Sequence, residues 1–411
     1  MMDFYDALET RDPAEREASQ LRCLREGLAE ALAAAPGLAA HLDGVDPAAI
    51  ADRAALARLP VMRKAALMER QTPEAPLGGL TTCAPTAFRH LFMSPGPIFE
   101  PGGGGHDWWR FGRALHAAGI RAGDLVHNCF AYHLTPAGMM FESGARAVGA
   151  AVFPGGVGNS EAQAQAAAHL RPTAWTGTPD FLKVILDKAA ETGADLSSIR
   201  RALVSGGALF PSLRQDYADR GIACLQCYAT ADLGLIAYES EAMEGMVVDE
   251  GVILEIVRPG SGDPVPEGEV GEVVVTNLNP DYPLVRFATG DLSAILPGAS
   301  PCGRTGPRIK GWMGRADQTA KVKGMFVRPE QIAEIVARHP VVSKARLTVT
   351  REAEQDVFEA AFETPDHDDA LAMALGETVH AVLKLRGWVR LARPGELPND
   401  GKVIDDQRDY D

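Results

Sequence analysis

The sequence predicts an α/β protein with a large N-terminal domain of parallel βαβ sheets and a β subdomain, followed by a small α+β C-terminal domain. Three observations predict it. Between about 90 and 235, short apolar runs alternate with helical runs of about 10–15 residues, the signature of parallel strands joined by crossover helices. From 246 to 297 the texture changes to Val-rich alternation broken by turns, which reads as largely antiparallel sheet. After 311–314 a compact segment of about a hundred residues mixes strands and helices and is long enough to fold alone.

In chain order, residues 1 to about 75 are rich in Ala, Arg, Glu and Leu, and Leu21, Leu24, Leu28 and Leu32 recur at helical spacing. Asp46-Pro47 and Pro60 punctuate this helical lead-in. A helix is expected over 108–118, a strand over 125–129, a small-residue helix over 138–149 and a strand over 150–153. Helix 160–169, strand 173–176, helix 179–188 and strand 201–205 follow, the last ending in Gly206-Gly207. Ligands of open parallel sheets bind at the carboxyl ends of the strands, and 127–132, 205–208 and 228–232 fall there. In the C-terminal part, helix 329–338, strands 345–350 and 358–362 and helix 367–384 complete the reading.

At 411 residues the chain has length for two or three domains, and 46% hydrophobic with 23% charged residues is an ordinary globular balance. A net charge of −15 argues against sequence-independent binding to nucleic acid or an anionic membrane surface. No apolar run approaches the ~20 residues of a membrane span, and the N-terminus has no signal-like core. The six scattered cysteines form no disulfide framework, so a cytoplasmic protein is expected.

Several segments carry chemistry. Val285-Arg-Phe-Ala-Thr-Gly-Asp-Leu292, Gly314-Arg-Ala-Asp-Gln, Lys321-Val-Lys-Gly324 and Val327-Arg-Pro-Glu-Gln-Ile332 resemble, in order and spacing, the nucleotide and hinge segments of adenylate-forming enzymes. Leu397-Pro-Asn-Asp-Gly-Lys402 resembles their C-terminal segment with its catalytic lysine, and Tyr228-Ala-Thr-Ala-Asp232 their "YGxTE". Pro301-Cys-Gly-Arg-Thr305 looks like the phenylacetate–coenzyme A ligases. The resemblance runs from about 90 to the end and implies the adenylate-forming fold: an N-terminal acyl- and nucleotide-binding domain over 1–313, a hinge at 314–317 and a mobile C-terminal domain over 318–411. It further implies AMP-forming ligation of an aryl or arylacetic acid to coenzyme A, with ATP, AMP and Mg²⁺, and leaves a homodimer open. The alternative is a non-adenylating paralogue that binds acyl-CoA or acyl-AMP, or a regulatory binding protein.

The resemblance assigns the residues as follows. Lys402 and Asp232 are catalytic, with Asp232 also the metal ligand. Ser94, Gly96, Ser205, Gly206, Gly207, Ala208, Tyr228, Ala229, Thr230, Asp291, Arg315, Lys323 and Gly324 bind nucleotide or coenzyme A. Tyr132 and His133 line the acyl pocket, and Asp317 is the hinge. The chemistry suits these types: a carboxylate accepts two ribose hydroxyls, a phenol stacks on adenine, and glycines admit the purine. A lysine meets the charge that develops on phosphate.

Plainer roles stand beside them. Asp291 can cap a turn, Lys402 can belong to an ordinary Asn-Asp-Gly turn, and Tyr132 and His133 can be core side chains. Gly102–Gly105 lack the Gly-Lys-Ser/Thr of a phosphate loop and read as a turn. Cys224 and Cys227 have metal-like spacing without the two further ligands zinc needs, and Ser300, Ser240 and Val247 stand where some relatives have ligands, so no structural zinc is expected.

One stretch departs from the family. Its phosphate loop ends in Lys-Pro, whereas this chain reads Phe92-Met-Ser-Pro-Gly-Pro-Ile-Phe-Glu-Pro101, with Glu100 at the lysine position. A carboxylate there repels polyphosphate, and Pro95 and Pro97 remove backbone donors. Ala231 stands at the Thr/Ser position, with Thr230 next to it as the alternative for that role, and Asp232 shortens the metal-associated glutamate.

Overall fold

The fold is described from a computed structural model covering residues 3–316, 318–322, 325–352 and 355–408. The lead-in opens with a 22-residue helix, Pro13–Ala34, for local reasons. Asp12 caps it by accepting from the N–H groups of Ala14 and Glu15, and Pro13 occupies the first turn, where its missing N–H costs nothing. Leu21, Leu24 and Leu28 are buried, so the expected stripe faces the core.

A nine-stranded sheet dominates, in the order Ile295–Leu296, Arg308–Ile309, Met246–Val248, Gly234–Tyr238, Ala223–Thr230, Arg201–Val204, Ala174–Gly177, Leu125–Asn128 and Ala151–Pro154. The strands from Ala223–Thr230 to Ala151–Pro154 run parallel, and Gly234–Tyr238 turns back antiparallel. Successive side chains point to opposite faces, and two cores result. Leu203 and Leu225 pack with Phe111, Leu115 and Phe141 on one face. Ala202, Val204 and Cys224 pack with Leu182, Ile185 and Tyr217 on the other. Both faces are thus covered by helices, as a parallel sheet requires.

The expected helix at 108–118 begins later, as Phe111–Ala117. Arg110 has φ +68°, outside the right-handed helical region, and the Asp107 carboxylate accepts from Gly112 N–H (2.7 Å). Several elements lie outside the sequence reading, among them the helix Pro211–Asp219, the hairpin of His90–Ser94 with Ile98–Gly102, and the strands Gly234–Tyr238, Trp388–Ala392 and Ile404–Asp406. Met246–Val248, placed with the Val-rich segment by its texture, pairs instead into the large sheet. Val252–Val257 and Gly271–Asn277 are buried at every position, so both their faces are covered.

By contacts the chain forms two units that are not a single cut. Residues 1–254, 275–287 and 296–312 make the first, and 255–274, 288–295 and 313–411 the second. The second contains a four-stranded sheet ordered Trp388–Ala392, Gln355–Glu363, Lys344–Glu352, Ile404–Asp406. Leu347, Val349, Phe358, Phe362, Leu375 and Val379 form its core with the helices Pro329–Ala337 and Asp369–Leu383.

Candidate active site

In the first unit, the carboxyl ends of neighbouring parallel strands carry most of the expected binding residues. Ser205 follows Arg201–Val204 and is held in place by donating to Cys227 C=O (2.8 Å) on the adjacent strand. Gly206, Gly207 and Ala208 then emerge exposed, and Gly206 has φ +72°. Beside them Tyr228, Ala229 and Thr230 end the Ala223–Thr230 strand, half-buried, with a bulge between Tyr228 and Ala229. Thr230 Oγ1 accepts from Leu233 N–H (3.2 Å), closing the turn that buries Asp232.

The strand Leu125–Asn128 positions the expected acyl pocket. Asn128, fully buried, donates to Tyr132 Oη (2.8 Å) and to Gly138 C=O (2.8 Å), and accepts from Thr176 Oγ1 (3.0 Å). Tyr132 packs against Gly138, where an added Cβ would come within 2.9 Å of its ring. Burial pushes its phenol well above the usual range. His133 is exposed, which excludes the core-histidine role.

The hairpin 90–102 corresponds to the altered loop. Period-2 alternation turns Phe92, Ser94, Ile98 and Glu100 inward and leaves Leu91 and Phe99 exposed. Ser94 ends the first strand, and Gly96 sits in the turn. Glu100 is 0% exposed, so its carboxyl is not displayed to an incoming phosphate as the sequence implied. Neither of its oxygens has a well-formed hydrogen bond. Burial, and next the charge of Asp232, push its pKa up to about 7, with Ser94 and Lys64 opposing. Asp232 is itself buried, with Oδ2 taking an ion pair from Lys64 Nζ (2.9 Å) and Oδ1 unpartnered. The Tyr282 hydroxyl is buried and unpartnered too, its pKa driven up by burial and by the charges of Asp232 and Glu100. Sequence reasoning missed Lys64 and Tyr282. Each stands alone in a stretch without motif.

In the second unit, Asp291 and Arg315 meet. Arg315 Nη1 donates to Asp291 Oδ1 (2.8 Å), and their backbones form an isolated bridge. Gly290 makes room: a Cβ there would lie 2.7 Å from the guanidinium. Lys402 is half-exposed and pairs with Asp405 (2.7 Å), whose carboxyl is held at about 2, against the push of burial, by Lys402 and Arg346. Gln318 ties this segment down, donating to Gly401 C=O (2.9 Å) and accepting from Ile404 N–H (2.9 Å). Asp317, Lys323 and Gly324 lie outside the described residues.

Cys224 and Cys227 are three apart on one strand, so their thiols point to opposite faces and join different cores. Among the described residues no group of three or more His, Cys, Asp and Glu side chains could hold a metal ion. The glycine run borders a cavity of about 330 Å³ where Arg89 and Arg146 face Asp107 and Glu142, a mixed-sign lining unlike a phosphate cradle.

Residues 129–279 match the family model "AMP-binding enzyme". A phenylacetate–coenzyme A ligase of Thermus thermophilus is 28% identical over 263 residues, 62% of this chain and 59% of that protein. One from Aromatoleum evansii is 26% identical over 300 residues, 69% of this chain and 68% of that one. The match thus spans about three fifths of the first relative's length. The solved 2-hydroxyisobutyryl-CoA ligase in its postadenylation state superposes with TM-score 0.72 at 25% identity, over 98% of this chain and 91% of that one. The fold is that of the adenylate-forming enzymes.

Proposed function

We propose that the chain is an AMP-forming acid–coenzyme A ligase of the adenylate-forming superfamily, on its similarity to the phenylacetate–coenzyme A ligases and its match to the AMP-binding family model. The observation that carries the proposal is the placement of 205–208 and 228–232 at the carboxyl ends of two adjacent parallel strands, inside the stretch that matches the family.

In this reading the acid lies against Tyr132 and His133 and attacks the α-phosphate of ATP, forming acyl-AMP and releasing pyrophosphate. The thiol of coenzyme A then attacks the acyl carbon and AMP leaves. Gly206–Ala208 and Tyr228 receive adenine, Asp291 the ribose, and Lys402 the charge on phosphate. An aryl or arylacetic acid is the proposed substrate, in the cytoplasm, and no described helix is long and apolar enough to cross a membrane. The Asp232 carboxylate, with an unpartnered buried oxygen, fits a Mg²⁺ bound by one protein carboxylate and substrate phosphates. When bound, that ion neutralises charge on the leaving pyrophosphate. A domain division near 313–318, with Asp317 as hinge and Lys323 and Gly324 on the thiol-delivery face, belongs to the same proposal.

A second reading, a paralogue that binds acyl-AMP or acyl-CoA without making it from ATP, is favoured by one observation: the buried carboxyl of Glu100 at the family's cation position. Acid-dependent pyrophosphate release from Mg·ATP across a panel of aryl and short-chain acids decides between them. Release that depends on acid establishes the ligase, and no release from folded protein sinks it.

A further inference from the structure

The altered hairpin raises a question of charge. A triphosphate carries about four negative charges near neutrality, and two carboxyls that feel each other's charge, Asp232 and Glu100, are buried beside the turn that ends the Ala223–Thr230 strand. A cation must offset them if ATP is to bind better than AMP. The hairpin supplies none: from His90 to Gly102 it contains no Lys or Arg.

Lys64 comes from a distant part of the sequence. Its Nζ lies 2.9 Å from Asp232 Oδ2, with the Asp232 side chain 1% exposed and that of Lys64 36% exposed. The pair is therefore asymmetric, a carboxylate sealed in the wall and an ammonium open on its outer side. An ammonium has three donors, and Asp232 is its one hydrogen-bond partner among the described residues, so two donors remain. The root of the side chain is fixed. Met62 N–H donates to Arg286 C=O (2.9 Å), and the Arg286 guanidinium donates to Ala57 C=O (2.7 Å) and Leu59 C=O (2.6 Å). A flexible four-carbon stem on an anchored backbone suits a group that keeps one contact while turning to another.

We infer that Lys64 is the cation this chain presents to the β- and γ-phosphates of ATP, doing from outside the hairpin what a lysine within it would do. Asp232 holds the ammonium until nucleotide arrives and then shares it with phosphate. The inference deepens the ligase reading and rests on it only for the identity of the nucleotide.

The test measures binding apart from turnover. Calorimetry with α,β-methylene-ATP and with AMP, both in Mg²⁺, compares the wild-type chain with Lys64→Met and Lys64→Arg. The expected result is a loss of about 10–100-fold in Lys64→Met for the triphosphate analogue, as for a charged hydrogen bond, with AMP affinity within twofold. Lys64→Arg keeps most of the affinity. Equal losses for analogue and AMP would assign Lys64 a merely structural role and overturn the inference, as would no loss for either, or a wild-type chain that binds the analogue no better than AMP. Pyrophosphate release is scored separately. A wild-type chain that binds the analogue through Lys64 but releases no pyrophosphate refutes the ligase reading and leaves the Lys64 site standing.

Discussion

Replacing Glu100 by Gln gives the sharpest test of the buried cluster. The carboxyl titrates near 4.5 when free and at about 7 in the fold, because burial and then Asp232 disfavour its ionised form. Below about pH 4.5 it is neutral folded and unfolded and costs nothing. Between 4.5 and 7 the unfolded chain gives up the proton while the fold keeps it, so the fold loses stability as pH rises. Above 7 the fold must hold the charge, and the loss is complete. The shift corresponds to about 3 kcal/mol. Gln has the same shape and no proton to lose, so Glu100→Gln should match wild type within about 1 kcal/mol at pH 5 and exceed it by about 2–3 kcal/mol at pH 8. Urea unfolding followed by tryptophan fluorescence reads this out, since Trp108, Trp109, Trp175 and Trp312 all belong to the first unit. Titrating groups remote from Glu100 are common to both chains and cancel in the difference, whereas Asp232 and Tyr282 are coupled to it and belong to the effect measured. A difference that stays flat from pH 5 to 8 would refute the buried carboxyl of raised pKa.

The other expectations follow from the same contacts. Lys402→Ala should reduce acid-dependent pyrophosphate release by about 100-fold or more while leaving thioester formation from supplied acyl-AMP within a fewfold; equal loss in both steps would remove its adenylation role. Asp291→Ala should weaken AMP binding by about tenfold or more in calorimetry, and unchanged binding would return Asp291 to a structural pairing with Arg315. Gly138→Ala puts a methyl within 2.6 Å of Ala131 C=O and 2.9 Å of the Tyr132 ring, so the KM for the acid should rise several-fold with the KM for ATP unchanged. Asn128→Ala removes four side-chain hydrogen bonds and should cost about 2–4 kcal/mol of stability in thermal unfolding.

Much of the fold was legible because its signals are local. The alternation of apolar runs gave the parallel strands and their helices to within a residue or two in most places. The same alternation put 127–132, 205–208 and 228–232 at strand ends, where they are found. The departure at Glu100 was visible as a residue of the wrong charge in a familiar place. Where local signals failed, a specific contact won: Arg110 in the left-handed region delayed a helix, and Met246–Val248 found partners in the larger sheet.

By itself, then, the sequence determined the layering, the order of motifs and the loss of a cation from the hairpin, since periodicity and charge are properties of neighbouring residues. Only the tertiary structure decided that Glu100 is sealed inside, that Asp291 meets Arg315, and that Lys64 reaches Asp232 across 168 positions of chain. No periodicity links residues so far apart. Their meeting is set by how packed sheets and helices bring side chains to one wall, where a buried charge must find a partner or give up its ionisation.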